Sequence, residues 1–252
     1  MNRIAVIPAR AGSKRLPKKN YKSFNSRTLV EIARDKCLAT GIFDKVIISS
    51  DDPYFEQLVN SNQVEFLKRT EELAGDDATT DVVIDFFFKE IPSCDSILWV
   101  NSVSPLQSIQ DIKNCGTRLS DPHVDCVMAI NTLYQHSCIR NKPLNFDPNS
   151  PFEKTQDLEP IQRYIYSCMG WRKETYINSR KEGFKGLFPG NMSLVEVSPL
   201  AGMLIKYEED FILCSQIEEA MRINPSINYI SDVGKINYKK DIKTKKLYEI
   251  NP

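Results

Sequence analysis

PARAGSKRLPKKN (residues 8–20) follows the apolar run Ile4, Ala5, Val6 and Ile7 without a break. An apolar strand that runs straight into a turn holding Gly12, Ser13 and five cations (Arg10, Lys14, Arg15, Lys18 and Lys19) is the kind of junction at which α/β sheets receive anions. Glycine and serine let backbone N–H groups approach a negative charge, and lysine and arginine neutralise phosphate oxygens. The stretch follows neither G-x-x-x-x-G-K-[ST] nor G-x-G-x-x-G. On these residues alone two readings stand, a phosphate-binding turn and a solvated basic turn.

Outward from this junction, strand-type and helix-type runs alternate. RIAVIPA (3–9), KVIISS (45–50), VEFLKR (64–69), SILWVNS (96–102) and CVMAINTLY (126–134) predict strands. Helices are expected over 28–41, 53–62, 77–91 and 108–121, with Pro53 in the first turn of the second and Thr79 or Thr80 capping the third. Such alternation implies parallel strands with crossover helices on both faces. Ligands then bind beyond the carboxyl ends of the strands, so the basic turn, Asp51, Asp52 and residues 101–104 should share one cleft. From about residue 135 the pattern changes. Residues 141–160 and 178–192 read as loop, 163–171 and 193–198 as strands, 208–222 as a helix, and the lysine-rich tail from 224 as an arm or a last strand.

The chain has 252 residues, enough for one large domain with an insert. Its 33 basic residues balance 33 acidic ones, which excludes a broad field for nucleic acid or membrane and makes the basic cluster local. No apolar run is long enough to span a membrane, and the N-terminus enters a strand-like run with no leader pattern. Seven cysteines (Cys37, Cys94, Cys115, Cys126, Cys138, Cys168 and Cys214) form no C-x-x-C pair and read as reduced thiols of a cytoplasmic protein. His123 and His136 have no metal-like spacing and argue against a histidine-centred nucleophile.

IPARAGSKRLPKKN (7–20) resembles the N-terminal signature of the acylneuraminate cytidylyltransferases, the CMP-sialic acid synthetases. KVIISSDD (45–52), RTEELAGDDATTDVVI (69–84), VNSVSPLQ (100–107), QDLEP (156–160), RKET (172–175) and EEDFILCSQIEEA (208–220) are similar to later blocks of that family, in the same order. The resemblance implies a Rossmann-like nucleotidyltransferase fold, a three-layer α/β sandwich over 1–222 with a dimerisation insert at about 135–190, and a tail over 223–252. It implies a homodimer that joins CTP and an anionic sugar acid, with Mg²⁺ as cofactor. By the same resemblance Arg10, Ser13, Lys14, Arg15, Lys19 and Asn20 hold the triphosphate, with Lys14, Arg15 and Lys19 stabilising charge in the displacement. Arg69, Leu73 and Asp76 face the cytosine, Asn101 and Ser104 border the nucleotide, and Gln156 and Arg163 meet the sugar acid. Phe152, Tyr164, Tyr166, Trp171 and Phe184 are the aromatics expected at the dimer interface.

The chain also departs from the family pattern. Anchored on Glu209, Asp210 and Phe211, the family's two metal-binding aspartates become Leu204 and Lys206. On the acceptor side Thr155, Ile165, Tyr166 and Met169 replace family residues, and Asn101 and Gln107 replace a glutamine and an arginine. The metal ligands are therefore unknown from sequence, with Asp51, Asp52, Asp76 and Glu208 as candidates and Lys206 as a possible stand-in for the ion. Three readings follow: a cytidylyltransferase for a nonulosonic, octulosonic or other anionic acceptor, a catalytically degenerate nucleotide-binding paralogue, and a structural protein that keeps the fold, against which Lys14, Arg15, Lys19, Asn20 and Arg69 argue.

Overall fold

The computed structural model describes residues 1–223 and the backbone of residues 238–240 and 247–249; the remainder of the tail expected to form an arm or strand lies outside the described residues. Strand β1 (Arg3–Pro8) buries four consecutive apolar residues, as a strand covered on both faces must. The basic turn follows, and Thr28 then opens α1 (Leu29–Ala39) with a capping box. Its Oγ1 accepts the Glu31 amide at 3.2 Å while the Glu31 carboxylate accepts the Thr28 amide at 2.7 Å. Next come β2 (Lys45–Ser50), β3 (Val64–Lys68), α2 (Glu71–Ala74), α3 (Thr80–Glu90), β4 (Ser96–Val100), α4 (Ile109–Leu119) and β5 (Cys126–Leu133). Thr79 occupies the N-cap position of α3 without a side-chain cap bond.

The helix expected over 53–62 is a 3-10 segment, Pro53–Leu58. The Asp52 carboxylate caps the Tyr54 amide at 2.8 Å, and the buried Arg34 guanidinium donates to the Leu58 carbonyl at 2.9 Å. That carbonyl is the acceptor a further turn would have used.

After β5 the chain forms an arm, residues 134–160, carrying the small hairpin β6 (Cys138–Ile139) and β7 (Lys142–Pro143). It returns as β8 (Ile161–Arg172), α5 (Lys173–Lys181), β9 (Met192–Glu196) and α6 (Glu208–Ile223). The main sheet has the order β3-β2-β1-β4-β8-β5-β9. Its pairings are parallel except that β8 lies antiparallel between β4 and β5. The five strands expected from the alternation, β1 to β5, thus run parallel to one another, and β8, from within the stretch expected as an insert, adds an antiparallel strand between the last two. Gly170 permits the insertion. A Cβ there would sit 2.8–2.9 Å from side-chain atoms of Leu119, Leu98 and Val127.

Helices cover both faces. Val30, Ala33 and Cys37 of α1 and Ile112, Cys115 and Leu119 of α4 pack on Ala5, Ile7, Val46 and Ile48. Val83, Ile84, Phe87 and Phe88 of α3 and Tyr176 of α5 pack on Ile4, Val6, Ile47 and Ile97. The result is a three-layer α/β sandwich. A third cluster joins Leu16, Phe24 and Leu29 to Ile205 and Phe211, so the basic turn is anchored by its one buried leucine against α6. Six of the seven cysteines are buried and Cys138 is exposed. His123 is exposed and His136 half-buried. Of the aromatics expected at a surface, Phe152, Tyr164, Tyr166 and Phe184 are exposed. Trp171 is fully buried, because it lies on the sheet-embedded part of β8 and its indole donates to the Leu187 carbonyl at 2.8 Å.

Candidate functional site

The basic turn is held as a rigid rim at the carboxyl end of β1. The Ala11 amide donates to Asp51 Oδ1 at 2.9 Å, and Asn20 Nδ2 donates to the Arg10 carbonyl at 3.0 Å. Ser102, just beyond β4, donates from its buried hydroxyl to Asn20 Oδ1 at 3.2 Å. Asn20 thereby ties the turns after β1 and β4 together. A cleft of about 510 Å³ opens between them and α3.

Arg10, Ser13, Lys14, Arg15, Lys19, Asn20, Arg69, Leu73, Asp76 and Asn101 all line this cleft. Around the rim, Lys14 Nζ lies 2.7 Å and Arg10 Nη1 3.1 Å from the Asp76 carboxylate. These contacts hold Asp76 below the usual carboxylate range, the Lys14 hydrogen bond contributing most. Arg10 also donates to the Ala74 and Gly75 carbonyls, and the Arg15 guanidinium sits 5.9 Å from the Tyr207 ring. Lys19 donates to the Ile205 carbonyl at 2.9 Å. Burial pushes its ammonium down to about 8; Arg15 and Arg10 act in the same direction and Asp210 opposes them.

Deeper in, Arg69 is 5 % exposed, and its Nε and Nη2 have no hydrogen-bond partner among the described residues. Burial lowers its pKa to about 10, partly offset by Asp51 and reinforced by Arg10. A desolvated guanidinium with unfilled donors is costly unless a ligand completes it. Asn101 donates to the Tyr166 carbonyl at 3.1 Å, with its Oδ1 3.4 Å from the Val103 amide. Ser102 and Val103 line the cleft as expected of residues 101–104, whereas Trp99, Ala78, Thr80 and Val83 also line it and were missed by the sequence reading. Strand alternation from Asn101 back to Trp99 was the signal that could have found the tryptophan.

Asp51 and Asp52, expected in the cleft, do not line it, and three of the expected site residues also fall outside. Ser104 is buried and its hydroxyl donates to the Ala201 carbonyl at 2.7 Å, so it holds two loops together. Gln156 is exposed on the arm. Arg163 is exposed on the stretch of β8 that continues past Cys168, the residue paired with Val100 at the carboxyl end of β4; its nearest polar partner is Asn131 Oδ1 at 3.4 Å.

Magnesium wants carboxylate oxygens. Leu204 and Lys206 offer none, and Lys206 does not occupy an ion position in the cleft. Both side chains line a separate groove with Leu213 and Cys214, while Ile205 between them points into the core. The candidate carboxylates are committed elsewhere. Asp51 holds Ala11, Asp52 takes the Tyr21 hydroxyl at 2.6 Å, Asp76 pairs with Lys14 and Arg10, and Glu208 pairs with Lys22 at 2.6 Å. No group of three or more His, Cys, Asp or Glu among the described residues is placed to hold a metal ion. Leu204 and Lys206, at the positions of the family's metal-binding aspartates, therefore do not fit a protein-held magnesium.

Comparison with known proteins agrees with this architecture. A cytidylyltransferase family model matches residues 4–159. The chain is 23 % identical over 220 residues to the N-acylneuraminate cytidylyltransferase of Streptococcus agalactiae serotype V, covering 84 % of this chain and 52 % of that protein. It is 29 % identical over 170 residues to the pseudaminic acid cytidylyltransferase of Campylobacter jejuni, covering 66 % of this chain and 63 % of the relative. The chain thus spans about half the length of the Streptococcus relatives it matches. Among solved structures, a CMP:2-keto-3-deoxy-manno-octonic acid synthetase complexed with CTP superposes with a TM-score of 0.62 at 15 % identity, covering 87 % of this chain and 99 % of the other. A 4-diphosphocytidyl-2C-methyl-D-erythritol synthase from Anaerococcus prevotii superposes with a TM-score of 0.61 at 14 % identity, covering 86 % and 98 %. These likenesses identify the Rossmann-like nucleotidyltransferase fold. With the family match spanning more than half of its length, the chain belongs to the cytidylyltransferase family.

Proposed function

We propose that this chain transfers CMP from CTP to a nonulosonic or related sugar acid, releasing pyrophosphate, as a step toward surface-glycan precursors. The observation that carries the reading is Arg69, a buried cation that lines a cleft rimmed by Arg10, Lys14, Arg15 and Lys19 and keeps buried donors with no partner among the described residues. A nucleotide supplies both missing partners: acceptors on a base for Arg69 and a polyanion for the rim.

The chemistry is an in-line displacement at the α-phosphorus. A hydroxyl oxygen of the acceptor forms the new P–O bond and gives up its proton. The bond to the β-phosphate oxygen breaks, and pyrophosphate leaves with its electron pair. Lys14, Arg15 and Lys19 offset the charge that builds on the departing phosphates, and Asn20 keeps their turn in place. Arg69, Leu73 and Asp76 surround the base, with Ser13 and Asn101 beside the nucleotide. The acceptor approaches from the overhang of β8. Arg163 lies four residues before Ser167, about 13 Å along an extended chain, on the same end of the sheet as the cleft. Gln156 and Arg163 are the acceptor-side residues of this reading.

A second copy of the chain would cover the arm, where Phe152 is 78 % exposed and stacks on His136 at 3.8 Å between ring centroids. A monomeric mass by light scattering at micromolar concentration would refute that homodimer. The cytoplasm, where CTP is made and thiols stay reduced, is the compartment this reading requires. Pyrophosphate release from CTP, assayed with a panel of sugar acids, tests the transfer itself. Release above background with at least one acid is expected. CTP binding without turnover on any acid would favour the degenerate nucleotide-binding paralogue, the reading that Leu204 and Lys206 support.

A further inference from the structure

Arg69 and Trp99 both line the cleft, and three of their donor nitrogens, Arg69 Nε, Arg69 Nη2 and the indole Nε1 of Trp99, are buried with no acceptor among the described residues. Trp99 lies on β4 between Val6 of β1 and Met169 of β8, on the face covered by α3. Phe87 of α3 meets it edge-on, 6.0 Å between ring centroids. A phenylalanine or leucine would fill this space without stranding a polar hydrogen. Buried tryptophans ordinarily give their N–H a partner, as Trp171 does with Leu187.

We propose that Trp99 is a specificity-determining contact, its indole N–H donating to an acceptor on the pyrimidine ring of the bound nucleotide. The inference rests on the reading of the cleft as a CTP site. The phosphate-seeking cations stand at the rim, whereas Trp99 shares the interior with Pro8, Ala78 and Val83. An apolar wall suits a flat, weakly hydrated base and would strip water from a phosphate at high cost. The unfilled polar groups shared by Arg69 and Trp99 are donors. Cytosine presents O2 and N3 to such a wall, both acceptors. Uracil presents an N3–H, which would meet a donor and leave both hydrogens unpaired. The indole thereby favours cytosine over uracil together with Arg69.

The chain's two tryptophans make the test direct. In ¹⁵N-labelled protein, each indole N–H gives its own resonance, assigned by the loss of one of them in Trp99→Phe. CTP and CMP should shift the Trp99 proton downfield and leave Trp171 in place, and inorganic pyrophosphate should move neither. Trp99→Phe should bind CTP about five- to tenfold more weakly by calorimetry and UTP as before, narrowing the preference between them. If Trp99→Phe fails to fold, Trp171→Phe supplies the assignment and the titration of the unmodified protein decides. CTP binding that leaves the Trp99 resonance unmoved, or that shifts it no more than pyrophosphate does, would overturn the inference while leaving the cleft a CTP site. So would a folded Trp99→Phe that binds CTP as tightly as the unmodified protein. No calorimetric binding of CTP to the unmodified protein would overturn the CTP reading itself, and this inference with it.

Discussion

Asp76 and Lys14 meet at 2.7 Å across the mouth of the cleft, and Arg10 holds the same carboxylate at 3.1 Å. Two of the cations assigned to the triphosphate are therefore neutralised by the protein's own anion. An incoming polyphosphate competes with Asp76 for them. Asp76→Asn keeps the shape and removes the competitor. It should bind inorganic triphosphate about two- to fivefold more tightly, a modest gain because the groups are half-exposed. Weaker binding by the variant would show that Asp76 supports the rim instead of occupying it.

Arg69 should show opposed effects on stability and binding. Its unfilled buried donors penalise the ligand-free fold, so Arg69→Met should raise the stability of the unliganded protein by about 1–3 kcal/mol. The same variant should bind CTP more weakly by about ten- to a hundredfold, since a charge-assisted pairing is lost. Denaturant titration and calorimetry on the same preparations check both halves. A loss of stability would mark the arginine as structural.

Lys19 sets a pH dependence. Its folded pKa, about 8, lies below the ordinary lysine value of 10.5, so the neutral form is favoured on folding. Between those values the unfolded chain holds more protons, and this group's contribution to stability rises with pH across that window. Nucleotide binding has the opposite sign, because the charged form meets the phosphates. Triphosphate affinity should fall by up to about tenfold per pH unit above pH 8. Lys19→Met should bind weakly at every pH and lose the break in the profile. A break that persists in Lys19→Met would assign it to another group.

Asp111 holds the start of α4 to the segment after β9. Its carboxylate accepts the Ser108 amide at 2.9 Å, the Ser198 amide at 2.9 Å and the Ser198 hydroxyl at 2.7 Å, and the residue is 6 % exposed. Asp111→Ala should cost about 2–4 kcal/mol in denaturant unfolding, since it removes a cap and strands buried donors. A cost under about 0.5 kcal/mol would show that water replaces the carboxylate.

The sequence by itself determined the features set by neighbours along the chain. The step from β1 into the basic turn, the Thr28 and Ser108 starts of α1 and α4, and the α/β alternation were all legible from periodicity and capping chemistry. Ten of the cleft's lining residues were named by the resemblance to the acylneuraminate cytidylyltransferases, and the basic turn and Asn101 also by their place just past strand ends. Only the tertiary structure placed β8 antiparallel between β4 and β5, because its apolar pattern is the same for either direction and the pairing partners lie far away in sequence. Tertiary packing alone moved Ser104 onto Ala201, turned Leu204 and Lys206 toward a groove of their own, and buried the donors of Arg69 and Trp99 without a partner. Local hydrogen bonds and side-chain period are encoded within a few residues. Desolvation and long-range pairing arise only when segments tens of residues apart close on one another, so the unfilled donors that point to a ligand are a property of the folded chain.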